Sequence, residues 1–276
     1  MSRRPRRQRS RQKGGLSLWI GIALIIAALV AFGALALFYF GTTHRPQLDA
    51  KSLCPLDGPH GVSVVLVDTS DDLPDTTRRQ VLGVLDDLIA GLPEYYRLDI
   101  RVLDIPGGRS RPLFAKCNPG DGANLSEWKD NPRIARKRWI ESFKEPALKA
   151  VNSSVAAAKA ASSPIMGAIQ DIALDQFSGA AARSIPKHLY VISDMIEFTH
   201  AYSQYPSAGD LSYQRFKRSP AYLKFRTDLH GADVTVHYVQ RPSARLDIER
   251  HPAFWVEWFK DNRSGDVRIQ RLQGAN

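Results

Sequence analysis

The chain has 276 residues, 43% of them hydrophobic and 24% charged, the make-up of a folded protein rather than a wholly disordered one. Its formal charge of +10 is concentrated at one end: Arg3, Arg4, Arg6, Arg7, Arg9, Arg11 and Lys13 carry seven positive charges without an acid, leaving +3 for all that follows. The basic excess therefore belongs to a tail, residues 1–15, and not to a folded nucleic-acid-binding surface; beside a membrane its partner is the anionic headgroup, with no specific nucleic acid implied.

From Leu16 to Phe40 there are 25 residues without a charge. A bilayer core of about 30 Å needs about 20 apolar residues in a helix, so residues 16–40 read as a transmembrane helix with length to spare for tilt. Trp19 and Tyr39 suit the two interfaces, and the cations on the N-terminal side keep that side cytoplasmic. A cleaved signal peptide would end at small residues followed by polar sequence, but Leu37 to Phe40 carries the apolar run past Ala34-Leu35-Ala36. The expected location is the inner or plasma membrane, single-pass, with the bulk of the chain periplasmic or extracellular. In that compartment the only two cysteines, Cys54 and Cys117, read as a disulfide.

Residues 41–60 are polar and hold three prolines, and read as a linker before a domain over 61–276. Val62–Val67 is a buried strand ending at Asp68. Pro74 opens a helix in which Val81, Val84, Leu85, Leu88, Ile89 and Leu92 recur at helical spacing, stopped at Gly91-Leu92-Pro93. Arg97–Ile105 is a second strand, and 112–131 reads as loop. Residues 133–161 are helical, with Pro146 expected to break them into two pieces. Ser163-Pro164 starts a helix, His188–Ser193 is a third strand ending at Asp194, Pro220–Leu229 is a short helix, Asp233–Val239 a fourth strand, and Pro252–Arg263 a last amphipathic helix. Strands alternating with helices predict an α/β fold, Rossmann-like, with a mostly parallel sheet and helices on both faces.

Ligands of such sheets bind beyond the carboxyl ends of the strands. Two strands here end in aspartate, in Asp68-Thr69-Ser70-Asp71-Asp72 and Ser193-Asp194, and Ser163 heads a helix between them. Carboxylates and hydroxyls converging on one edge are hard oxygen donors, suited to Mg²⁺ or another divalent cation rather than zinc. At these residues the chain resembles the von Willebrand factor A (vWA) family, whose metal-ion-dependent adhesion site has an Asp-x-Ser-x-Ser run, a later helix-heading threonine and an aspartate usually followed by glycine. Asp68 and Ser70 match the run, Asp72 replaces its second serine, Ser163 stands for the threonine, and Met195 occupies the glycine position after Asp194. The resemblance, over residues 62–262, implies a vWA-like domain with a metal set of Asp68, Ser70, Asp72, Ser163 and Asp194. Ser163 and Asp72 also read as simple helix caps.

The resemblance implies a membrane-anchored protein-interaction module and not an enzyme, its partner a protein not identified by the sequence. Two alternatives stand beside it: a structural subunit of an envelope assembly whose metal site does not function, and a metal-dependent hydrolase, for which no general acid or base stands at a recognisable spacing. The seven histidines show no paired ligand spacing, so His188, His200 and His237 read as ordinary strand or loop residues. Tyr202, Tyr205 and Tyr213 follow Asp194 closely enough to anchor a partner, although loop packing explains them as well.

Overall fold

The computed structural model describes residues 15–41, 45–70, 74–105, 107–125, 131–154, 160–205, 211–241, 244 and 246–272. The chain divides into two compact units, Met1–Pro46 and Gln47–Asn276. The first holds helix α1 (Gly15–Gly41), whose Trp19–Leu37 stretch has a mean hydropathy of 2.8 and buries none of its residues. A helix apolar on every side is stable only in a protein core or a membrane. This one is long enough to cross a bilayer.

The second unit carries both hydrophobic cores and the disulfide, so it holds everything it needs to fold without the anchor. Its sheet has six strands in the order β3-β2-β1-β4-β5-β6: β1 (Gly61–Val67), β2 (Tyr96–Asp104), β3 (Arg109–Cys117), β4 (Lys187–Ser193), β5 (Asp233–Val239) and β6 (Val267–Leu272). All pairs are parallel except β2–β3. β1 is buried over its full length because strands flank it and helices cover both its faces, which is why it reads as a continuous apolar run. This is the α/β architecture expected, a mostly parallel sheet with helices on both faces.

Helices α2 (Asp75–Gly91), α3 (Pro132–Trp139) and α4 (Glu145–Ser154) lie on one face. Buried Val81, Leu85 and Ile89, each four residues apart, set the inner stripe of α2. Helices α5 (Ile165–Ile172), α6 (Tyr213–Lys217), α7 (Pro220–Lys224) and α8 (Arg250–Asp261) lie on the other, where Phe254, Trp255, Trp258 and Phe259 fill the core.

Three expectations change. Residues 112–117, expected as loop, belong to an edge strand that begins at Arg109: Arg109, Arg111 and Lys116 give it a polar look because one of its sides meets solvent, and Pro112 is tolerated where the β2–β3 register shifts. Pro146 does not break its helix; a π-helical turn, Ile140–Lys144, precedes it and joins α3 to α4 without interruption. The sixth strand, Val267–Leu272, alternates half-buried and exposed residues and lies beyond the four strands read from the sequence. Between Gln47 and His60, Cys54 is bonded to Cys117, the Cys117 amide donates to the Ser52 carbonyl at 2.8 Å, and the His60 amide to that of Tyr95 at 3.1 Å.

Candidate functional site

β1 and β4 run side by side and in the same direction, which brings the residues that follow them, Asp68 and Asp194, to the same edge of the sheet. The Asp68 amide donates to the Ile192 carbonyl at 2.9 Å, continuing the ladder to that edge. Helix α5 delivers the third element, because Ser163 precedes Pro164 at its start.

Asp68 sits at the centre of a hydroxyl cluster. Its Oδ1 accepts the Ser70 amide at 2.9 Å; its Oδ2 accepts the Ser193 hydroxyl at 2.7 Å and, more loosely, that of Ser163 at 3.5 Å. The Ser70 hydroxyl reaches Ser163 Oγ at 3.4 Å. Ser163 is not a cap: Pro164 occupies the N-cap position with no side-chain cap bond, and the Ser163 hydroxyl turns to Asp68 instead. Asp194 is held by the Ile196 amide on Oδ1 at 2.9 Å, and the Arg241 Nε lies 2.8 Å from its Oδ2. Four of the five candidate residues, Asp68, Ser70, Ser163 and Asp194, thus converge on one edge; Asp72 lies outside the described residues. Ser193 and Arg241 were not singled out from the sequence, since each is one polar residue beside a strand end with no pattern to mark it.

Met195, at the position where the family has glycine, adopts φ +60°. This left-handed conformation favours glycine and costs another residue on the order of 1 kcal/mol. The cost is offset by burial, for Met195 is fully buried and its carbonyl accepts the Trp255 indole N–H at 2.8 Å.

Beneath the edge lies a buried polar network. Glu197 Oε2 accepts the Met166 amide at 2.8 Å, tying the first turn of α5 to the segment after Asp194, while Oε1 is buried without a partner. Burial, with the Asp68 charge adding to it, pushes the Glu197 carboxyl up to about 8, so it is protonated at neutral pH. The Glu197 amide donates to Gln204 Oε1 at 2.9 Å; His251 Nε2 lies 3.2 Å from that oxygen, and its Nδ1 lies 2.8 Å from the Tyr238 hydroxyl. Burial holds His251 down to about 4.

Phe198 forms the outer wall. Its backbone pairs with Ser163 in both directions, at 2.8 and 3.0 Å, and its ring, 41% exposed, meets Tyr205 edge-on with centroids 5.3 Å apart. Of the three tyrosines considered as anchors only Tyr205 stands here; Tyr202 packs on Phe216 and Phe254, and Tyr213 is buried and donates to Asp261 at 2.9 Å.

The donor set bears on the divalent cation that the resemblance implies. Among the described residues no three of His, Cys, Asp or Glu form a metal-holding group. Each carboxylate oxygen of Asp68 and Asp194 already faces a protein donor, and the crevice between them measures about 10 Å³. The Arg241 guanidinium places one positive charge there. A divalent ion about 5 Å from it would be repelled by on the order of 7 kcal/mol at an effective dielectric of about 20, so the guanidinium would have to leave. The described residues do not fit a resident divalent ion.

No protein-family model matches the chain, and no curated protein matches its sequence. Solved structures that resemble it include the conserved hypothetical protein BatB from Bacteroides thetaiotaomicron, at 14% identity over 78% of this chain and 91% of that one, TM-score 0.37. Another is a von Willebrand factor type A protein from Catenulispora acidiphila, at 18% identity over 78% of this chain and 39% of that one, TM-score 0.39. A third is an aerotolerance-related membrane protein from Bacteroides fragilis, at 13% identity over 77% of this chain and 92% of that one, TM-score 0.34.

Proposed function

We propose that this chain is a membrane-anchored, vWA-like interaction module that holds a protein partner at the carboxyl edge of its sheet, with the Arg241 guanidinium standing where the family places a metal. The observation that carries the reading is the Arg241–Asp194 pair, 2.8 Å apart, at the convergence of Asp68, Ser70 and Ser163. Phe198, exposed, and the half-buried Tyr205 it packs against add an aromatic corner of the kind that anchors interfaces. Charge gives direction and register while the rings supply buried area.

The Ser163 and Ser193 hydroxyls both donate to Asp68, which orients them at the edge. Helix α1 supplies the anchor. The basic tail favours a cytoplasmic N-terminus, and the Cys54–Cys117 disulfide supports an oxidising compartment for the domain, hence a periplasmic or extracellular place for it.

The test uses the full chain in its native membrane, with a photo-crosslinking residue in place of Tyr205. A discrete crosslinked partner is expected; Phe198→Ser should remove it while leaving the unfolding temperature within about 3 °C, and Arg241→Glu should remove it too, with a lower unfolding temperature that stays above that of the assay, because it takes the counter-charge from buried Asp194. A partner retained by both variants would move the interface elsewhere. No partner in any membrane preparation would favour the alternative, a structural subunit held by other surfaces.

A further inference from the structure

The two faces of the sheet are not covered alike. α2, α3 and α4 bury their apolar residues against one face, in a core that reaches Ile192 of β4 and Val239 of β5 near the ends of those strands. Alternation places His188, Tyr190, Asp233, Thr235 and His237 there. This part of the face is polar and suits water, except where it meets α2. At that junction it deepens into a cleft of about 510 Å³.

The floor of the cleft is Val65 and Leu98, one wall is Val84 and Leu88, four apart on α2, and the facing wall is Tyr190 and His237. A methyl placed on Gly91, at its rim, would meet nothing within 4 Å, so the cleft is open at that end. Its size and mainly apolar lining are those of small-molecule sites, about 300–1,000 Å³. A helix from another protein would have to cover the polar strand face as well; the apolar demand is confined to the cleft.

His237 supplies the second observation. It is 6% exposed, and both its ring nitrogens are buried with no hydrogen-bond partner. Burial holds the imidazole below its ordinary pKa, so it is neutral, with one donor and one acceptor unused. A buried polar group left unpaired is costly, and a site that keeps one rejects molecules that cannot answer it. Tyr190, whose ring stacks beside it with centroids 6.4 Å apart, adds a flat wall.

We propose that this cleft binds a small, flat, mainly apolar molecule carrying a hydroxyl group, with His237 as the residue that reads the hydroxyl. The cleft lies against the first halves of β1, β2 and β4, with His237 further along β5 opposite Ile192, and it does not depend on the function proposed for the Asp68–Asp194 edge.

Phenol and toluene have the same shape, with a hydroxyl in one where the other has a methyl, and serve as the probes. Methyl NMR of the Gln47–Asn276 domain should show saturable phenol-induced shifts at Val65, Val84, Leu88 and Leu98, with phenol bound about tenfold more tightly than toluene. In His237→Phe the two probes should bind equally, and in Leu88→Trp, which fills the cleft, neither should bind. Shifts scattered over the surface, or equal binding of both probes by the unaltered domain, would overturn the proposal. So would cleft signals that move with protein concentration alone, which would make this face a contact between two copies.

Discussion

Replacing Glu197 with glutamine isolates the buried proton behind the candidate edge. In the unfolded chain this carboxyl loses its proton near 4.5; in the folded domain it keeps it to about 8. Between those values the unfolded state binds fewer protons, so stability falls as pH rises, by about 1.36 kcal/mol per pH unit and about 5 kcal/mol in all. His251 acts in the opposite sense. Its folded value is depressed from 6.5 to about 4, so the unfolded state binds more protons there and stability rises with pH across that range. From 4.5 to 6.5 the Glu197 and His251 slopes cancel, and His237, also held below 6.5 by burial, adds a rise of the same sign as that of His251. From 6.5 to 8 Glu197 acts alone, lowering stability by about 2 kcal/mol, a fall of about 4–8 °C in unfolding temperature for a domain this size. The glutamine in Glu197→Gln keeps an amide oxygen for the Met166 N–H and has no proton to hold. The variant should therefore gain at least about 3 kcal/mol between pH 4 and 6.5, from His251 with His237 adding to it, and then stay level to pH 8. Thermal unfolding of the domain at half-unit pH steps measures both curves. Parallel curves for the two proteins would refute the assignment of a retained proton to Glu197.

Reducing the Cys54–Cys117 bond, or replacing both cysteines with serine, frees a loop with a sequence separation of 63 and should cost about 4 kcal/mol in the chain-entropy model, read as a lower unfolding temperature. Arg101→Met should be costlier than its single position suggests. Arg101 is buried, bonded to Asp99 at 3.0 Å and to Asp175, and fully buried Asp99 would keep only Arg97, at 3.3 Å, so the variant should cost about 1.5–3 kcal/mol; chemical denaturation showing less than about 1 kcal/mol would contradict this. Thermal unfolding in EDTA and in millimolar Mg²⁺, Ca²⁺ or Mn²⁺ should agree within about 1 °C. An ion bound at about 100 times its dissociation constant would instead add about 2.7 kcal/mol, several degrees.

The central strands were legible because burial on both faces leaves an unbroken apolar signature: VSVVLV in β1 and HLYVIS in β4 announce themselves, and with them the aspartates at their ends. The edge strands were not, since β3 carries Arg109, Arg111, Pro112 and Lys116, and a strand with a solvent side has no reason to look apolar. In the site, Asp68 and Asp194 follow from strand ends. Ser193, Arg241, Glu197 and Phe198 do not, because their roles depend on partners 125, 47, 31 and 35 residues away in the chain, a relation only the fold creates. His237 is an intermediate case. The alternation Asp233, Thr235, His237 marks a polar strand face, but not that α2 closes over part of it.

The central claim is that the edge holds its partner through a resident guanidinium. Its most direct test is the crosslink from position 205 in native membranes, run in parallel in EDTA and in millimolar Mg²⁺. The account predicts the same partner at the same yield in both, lost in Arg241→Glu under either condition. A crosslink that appears only with the divalent cation, and survives Arg241→Glu, would contradict it.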